Sequence, residues 1–213
     1  CKNRGFLSAT MYHKNKTFFG PDRLYDHLEG LKNQIKSDID MSADQLCANG
    51  NESIISFYKN KYCITPLTLY IDNKTAHDEE TTIDVSRDPF RNLFGDSKCT
   101  TKGMMLTVTI PYIGNSCLWK LQPDSYTYSH SDRKKTFTPV DNNGQGNLMI
   151  YFEYIQDQAR SEQINLDIKS EISTIQTNID AQKQQITQYH NSLENFTKQC
   201  LDIKARKIKR KFV

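Results

Sequence analysis

The chain has 213 residues, 37% of them apolar, and a formal net charge of +3, which leaves room for one ordinary domain plus an extended element. No apolar run approaches the roughly 18 residues of a membrane span and there is no signal-peptide pattern, so a cytoplasmic protein with no membrane partner is expected. The charge is uneven: residues 198–213 carry seven Lys/Arg against one Asp, leaving about −3 for the rest, so attraction to phosphate is local to the C-terminal end.

Residues 1–20 are polar and unpatterned, and the chain opens on Cys1 rather than Met, as expected of a piece of a longer protein. Gly20-Pro21-Asp22 then starts a helix on which Leu24, Leu28, Leu31, Ile35 and Ile39 recur to about Asp40. A short helix is predicted over Ala43–Cys47 and another over Glu52–Lys61, the latter from Ile54, Ile55 and Tyr58. Together these make an N-terminal helical segment, residues 1–61.

The period changes at Tyr62. Tyr62–Asp72 alternates around Leu67, Leu69 and Ile71, with Pro66 at an edge or strand-entry position. Further strands are predicted at Thr81–Ser86, Met104–Ile113, Leu118–Leu121, Ser125–Ser129, Lys135–Thr138 and Asn147–Ile155, separated by turn-rich linkers that include Asn73–Glu80 and Arg87–Gly103. Short strands with no helical pattern between them predict an antiparallel β domain over residues 62–155, a small sandwich, within an α+β fold.

From Asp157 to Val213 there is neither Gly nor Pro. Ile172, Ile175, Ile179, Gln182, Ile186, Tyr189, Leu193, Phe196, Cys200 and Ile203 follow one another at spacings of 3 and 4, the a/d pattern of a helix that buries one narrow stripe. About fifty such residues make a rod of roughly 75 Å, longer than a small domain needs. Ile172, Ile175, Ile179, Ile186, Tyr189, Leu193 and Phe196 are therefore the candidate association seam. The seam packs either on a second copy or on the chain's own first helix, and the rod is either continuous or folded back near His190–Ser192. It ends in Lys204, Arg206, Lys207, Lys209, Arg210 and Lys211, with three readings: a phosphate contact, cations placed at a helix C-terminus, or the start of a linker.

Six cysteines (Cys1, Cys47, Cys63, Cys99, Cys117, Cys200) are widely spaced without a C-x-x-C pair, so free thiols are expected over a disulfide framework. The sequons at Asn15, Asn51, Asn73 and Asn195 are what an Asn- and Ser/Thr-rich chain shows by chance, and Asn195 falls mid-helix. The rival reading is a secreted, disulfide-bearing surface protein.

No stretch carries a catalytic constellation. His77-Asp78-Glu79-Glu80 has metal-binding residue types, but consecutive residues in a loop seldom converge on one ion. Ser129-His130-Ser131-Asp132 holds the side chains of a serine triad without a nucleophile elbow. The triplets Asp167–Lys169 and Asp202–Lys204 lie on the long helix, whereas a metal-dependent nuclease needs its carboxylates on adjacent strands. Arg87, Phe90, Arg91 and Phe94 form either a recognition loop or a loop tucked onto the sheet. No enzyme activity, cofactor or metal is expected.

Several segments carry a resemblance: FFGPDRLYDHLEGLKNQI (18–35), FYKNKYCITPLTLYIDN (57–73), TIDVSRDP (82–89), GMMLTVTIPYIGNSCLWKLQPDSYT (103–127) and SLENFTKQCLDIKARKIKRKF (192–212). Read together, the chain resembles a family of uncharacterised bacterial proteins. There this region forms an N-terminal module ahead of a restriction-endonuclease-like domain of the PD-(D/E)XK type, or a TIR domain, in anti-phage systems. The resemblance implies a non-catalytic regulatory or assembly module, with the effector's catalytic residues beyond Val213 and none to carry over. Partners are then a protein or a second copy through the long helix, and nucleic acid at the basic end. A stand-alone nucleic-acid-binding protein is the alternative.

Overall fold

The computed structural model describes residues 18–42, 52–86, 99–128, 133–155 and 161–211. In chain order they form β1 (Asp22–Arg23), α1 (Leu24–Met41), α2 (Glu52–Lys61), β2 (Thr68–Leu69), a 3-10 turn at Ile71–Asn73 and β3 (Thr75–Asp84). Then come β4 (Thr100–Ile113), a 3-10 turn at Ser116–Lys120, β5 (Leu121–Gln122), β6 (Lys135–Phe137), β7 (Gly146–Ile155) and α3 (Ser161–Lys211). The fold is α+β, as expected.

The 14-residue β4 organises the sheet. Antiparallel neighbours flank it, β2 and β3 on one side and β7 then β6 on the other. Side chains alternate across a strand, and on β4 the inner set is Leu106, Val108, Ile110 and Tyr112, all buried. Leu148, Ile150 and Phe152 on β7 continue that face. On the opposite face Thr107 pairs with Tyr151 and Thr109 with Met149, residues that suit a solvent-facing side.

The described residues form no sandwich of two sheets, contrary to expectation: the second layer is helical. The only other β pairing among the described residues is the two-residue parallel pair of β1 with β5. The sheet's inner face, α1 and α3 share one apolar core, because a 51-residue helix offers more continuous apolar surface than short strands can.

Several predicted strands take other forms for local reasons. Leu118 and Trp119 are adjacent and both fully buried, which a strand with one solvated face does not allow. They form a 3-10 turn instead, opened by Asn115, whose side chain accepts from the Cys117 N–H at 3.1 Å. The turn puts Trp119 at the centre of an aromatic cluster, stacked on Phe18 at 4.8 Å and edge-on to Tyr112 at 5.1 Å. Gly114, with φ of 112°, makes the preceding reversal; a Cβ there would sit 2.3 Å from Pro66 O. Ser125–Tyr128 is irregular, and Tyr62–Asp72 yields only β2 and a 3-10 turn.

Conversely, the acidic stretch His77–Glu80 is not a loop but the middle of β3. Predicted Glu52–Lys61 matches α2, and the strand and helix ends at Asn147–Ile155 and Asp40 agree within one residue. The predicted helix Ala43–Cys47 lies outside the described residues, as does the loop bearing Arg87, Phe90, Arg91 and Phe94. The Ser129–Asp132 segment also lies outside them.

Candidate functional site: the anchored long helix and its basic end

The helix α3 runs unbroken from Ser161 to Lys211, with no fold-back at His190–Ser192. Its seam is buried by the chain itself: Ile172, Ile175, Ile179, Ile186, Tyr189 and Leu193 all belong to the common core, with Phe196 packed half-buried beside it. The seam from Ile172 to Leu193 thus packs on the chain's own body.

Past Leu193 the buried stripe departs from the predicted one. Thr197, Leu201 and Lys204 are buried, whereas Ile203 is 48% exposed. A straight α-helix drifts about 20° per heptad against a 3.5-residue repeat. Over the three and more heptads from Ile172 this moves the buried line by most of a residue position. The a/d rule holds to Leu193; of the last three predicted positions Cys200 is still buried, Phe196 is half-buried and Ile203 is turned out.

Polar side chains along the same stripe fix the helix to backbone elsewhere in the chain. Asn178 pairs with Thr127 in both directions, accepting from its N–H at 2.8 Å and donating to its carbonyl at 2.9 Å. One turn on, the Gln182 amide donates to Leu118 O at 2.8 Å and Leu121 O at 2.6 Å. Gln185 Oε1 accepts from the Asp124 N–H at 3.1 Å. These three side chains hold the turn that carries Trp119 and the irregular segment after it, adding partners to backbone groups there beside the Leu121 N–H that Leu118 O already accepts. The polar interruption of the seam at Gln182 is therefore an anchoring point.

At its N-terminal half α3 is tied to β6 by charge. Arg133 meets Asp167 at 2.5 Å and Lys135 meets Glu171 at 2.8 Å, the latter carboxylate being only 3% exposed. The Arg133 guanidinium also covers the Phe152 ring at 4.8 Å. Halfway along, the Tyr189 hydroxyl donates to Tyr62 O at 3.2 Å and His190 Nε2 accepts from the Ile64 N–H at 3.1 Å. Burial pushes the Tyr189 hydroxyl well above the usual tyrosine range and holds the His190 imidazole below its ordinary value. The exposed Cys63 Sγ stands 3.5 Å from His190 Nε2. With the Ile64 N–H already on that nitrogen, the imidazole is neutral and poorly placed to take the thiol's proton.

The basic end divides into two kinds of residue. Lys204, expected as a nucleic-acid contact, is instead structural: it is 5% exposed. Its ammonium donates to Ile39 O at 2.8 Å, Asp40 O at 3.3 Å, Ser42 Oγ at 3.2 Å and the Ser42 carbonyl. The carbonyls among these lie at the C-terminal, negative end of the α1 dipole, where Ile39 O also accepts from the Ser42 N–H at 3.2 Å and the Ser42 hydroxyl at 2.6 Å. Drift of the stripe is the reason, since it turns position 204 inward. Arg206, Lys207, Lys209 and Arg210 are exposed, with Lys207 3.5 Å from an Asp40 oxygen. Lys211 closes the helix, its side chain outside the described set.

The anchors Asn178, Gln185, Glu171 and Lys204 were not singled out from the sequence in these roles. Their signal is weak: each falls at or beside the buried stripe, where a polar residue must find a partner. Among the described residues Cys63, Cys99, Cys117 and Cys200 are free thiols and no three His, Cys, Asp or Glu side chains converge on a metal-sized site. No described helix is long and apolar enough to cross a membrane. Compared with known protein families, curated proteins and solved structures, the chain matches none of them.

Proposed function

We propose that this chain is a non-catalytic regulatory or assembly module. Its sheet and short helices form a partner-binding body, and α3 is a rigid connector that sets the position of whatever follows the basic end. In the setting implied by the sequence resemblance, that is a bacterial antiviral effector. The observation that carries this reading is the series of anchors from Asp167 to Lys204, which tie one helix to β6, the Trp119 turn, the α2–β2 connection and the end of α1. Ion pairs and side chain to backbone contacts spread over about 55 Å of helix make the body and the helix end move as one unit.

The complete reading frame tests it first. A continuation past Val213 into a domain with strand-borne carboxylates and a lysine is the expected outcome, and a stop at that point overturns the connector role. In the longer protein, two alanines inserted between Ala205 and Arg206 turn the following segment by about 200°. That insertion should abolish effector regulation while leaving the melting temperature of the module unchanged; unaltered regulation would count against the reading.

The exposed group Arg206, Lys207, Lys209 and Arg210 favours a second reading, a phosphate contact at the helix end. Duplex binding measured against salt separates the two. A phosphate-binding end gives a linear loss in log affinity of about 0.9 per contact, removed by neutralising these four residues.

A further inference from the structure

Among the described residues β3 is hydrogen-bonded to β4 alone. The phase of that ladder is fixed just past its end, where the Val85 N–H donates to Cys99 O at 2.8 Å. Hydrogen-bonded pairs alternate in an antiparallel ladder, so Thr75, His77, Glu79, Thr81 and Ile83 turn their backbone groups to β4. Ala76, Asp78, Glu80 and Thr82 turn theirs to the outer edge, which no described residue pairs.

Beneath the edge lies a groove of about 740 Å³ between the start of β3 and the N-terminal half of α3. Its floor is apolar, made by Ala76, Val108, Ile168 and Ile172. Lys74 and Lys169 stand on its rim, both exposed. Neither enters an ion pair among the described residues. The helix borders the groove from Asn165 to Asp180, about 22 Å at the α-helical rise. An extended segment of six or seven residues has that length. Asp180, the one acid in the lining, accepts from the Gln176 amide at 2.8 Å and lies at the far end of this helix stretch, so two lysines against one carboxylate leave the groove with a net charge of +1.

An outer strand beside a helix, with an apolar groove between them, is a geometry in which an extended peptide is taken up as an added strand. We propose that the β3–α3 groove binds an extended segment of another protein by strand addition to β3. The segment is about six residues long and apolar at alternate positions, with a carboxylate at the end that meets Lys74 and Lys169. Farther along the same edge Asp78 and Glu80 set the opposite preference, for a basic residue, so the peptide is read in one direction. A second copy of this chain fits poorly: antiparallel pairing of β3 with itself brings Asp78, Glu79 and Glu80 against the same acids. This deepens the partner-binding part of the reading above by naming the class of partner, while its test is independent of α3's role as a connector.

The test is selection of a displayed library of random octapeptides on the folded chain, followed by titration of the enriched peptides. Two variants accompany it. Ala76→Pro removes the outward N–H at a position where an outer strand tolerates proline, and Lys74→Glu with Lys169→Glu reverses the rim charge on exposed side chains. The expected pool alternates apolar residues and is acidic at one end. Its best member loses at least tenfold in affinity on Ala76→Pro, shifts the Ala76 and Asp78 amide resonances, and is replaced by peptides with a basic end on the charge-reversed chain. Three results overturn the proposal: no enriched sequence, enriched peptides that bind both variants as well as the parent, or a concentration-dependent dimer of this chain lost on Ala76→Pro. Each of those leaves the connector reading standing.

Discussion

Replacing Lys204 by methionine separates a structural lysine from the exposed cations around it. The substitution keeps the length of the buried side chain but removes the ammonium that Ile39 O, Asp40 O and Ser42 O share. Hydrogen bonds from a charged donor contribute about 1.5–3 kcal/mol, and a cation at a partly buried helix C-terminus adds up to about 2 kcal/mol. Relief of the lysine's own desolvation offsets part of this, and Asp40 O and Ser42 O regain some water. A net loss of about 2–3 kcal/mol results. In a chain of this size that lowers the melting temperature by roughly 5–10 °C. Arg206→Met and Lys209→Met, at exposed positions, change stability by no more than about 0.5 kcal/mol. Thermal unfolding followed by circular dichroism at fixed salt is sufficient. A Lys204→Met variant that melts with Arg206→Met would refute the placement of Lys204 under the end of α1.

The same reasoning extends to other positions. Ile186→Ala, at a fully buried seam position, should cost about 2–5 kcal/mol, whereas Ile203→Ala should cost well under 1 kcal/mol; equal losses in denaturant titration would contradict the drift of the stripe. Gln182→Ala removes the amide shared by Leu118 O and Leu121 O, of which Leu118 O keeps the Leu121 N–H, and should cost about 1–3 kcal/mol, accompanied by a change in Trp119 fluorescence, the protein's one tryptophan. Because burial holds the folded His190 pKa below its ordinary value, the unfolded chain takes up a proton there at higher pH than the folded one. This contribution is fully present above about pH 6.5 and is lost as pH falls below that value. His190→Gln should flatten the pH 7 to 5 limb of the stability curve; a limb of unchanged slope would assign it elsewhere.

Much of the architecture was legible in the residues, and the failures share a cause. The ends of α2 and β7 and the long α3 were read correctly because each carries a clear period and a terminator. The segment around Trp119 was misread as strand because Leu118 and Leu121 are apolar at a spacing that also suits a turn. Only the burial of two adjacent residues decides, and that is tertiary information. His77–Glu80 reads as loop by composition, yet pairing with His77↔Thr107 and Glu79↔Met105 on β4 overrides the propensity of four polar residues.

The candidate site was legible only in part. The seam to Leu193 was visible, as were Gln182 and Tyr189 as its interruptions, but their partners at Leu118, Leu121 and Tyr62 lie more than sixty residues away and leave no local mark. Lys204 shows the same limit more sharply. In a run of six cations nothing local distinguishes the one turned inward. It takes the accumulated drift of the helix, and the position of the end of α1, to single it out.

The central claim is that α3 and the sheet form one rigid unit reaching to the basic end. Electron–electron distance measurement between spin labels at Asn147 and Lys209, attached through a keto-bearing amino acid so that the native cysteines are left alone, tests it directly. The account predicts one narrow distance distribution, broadened when Gln182→Ala and Lys204→Met are combined. A broad or multi-peaked distribution in the parent chain would contradict it.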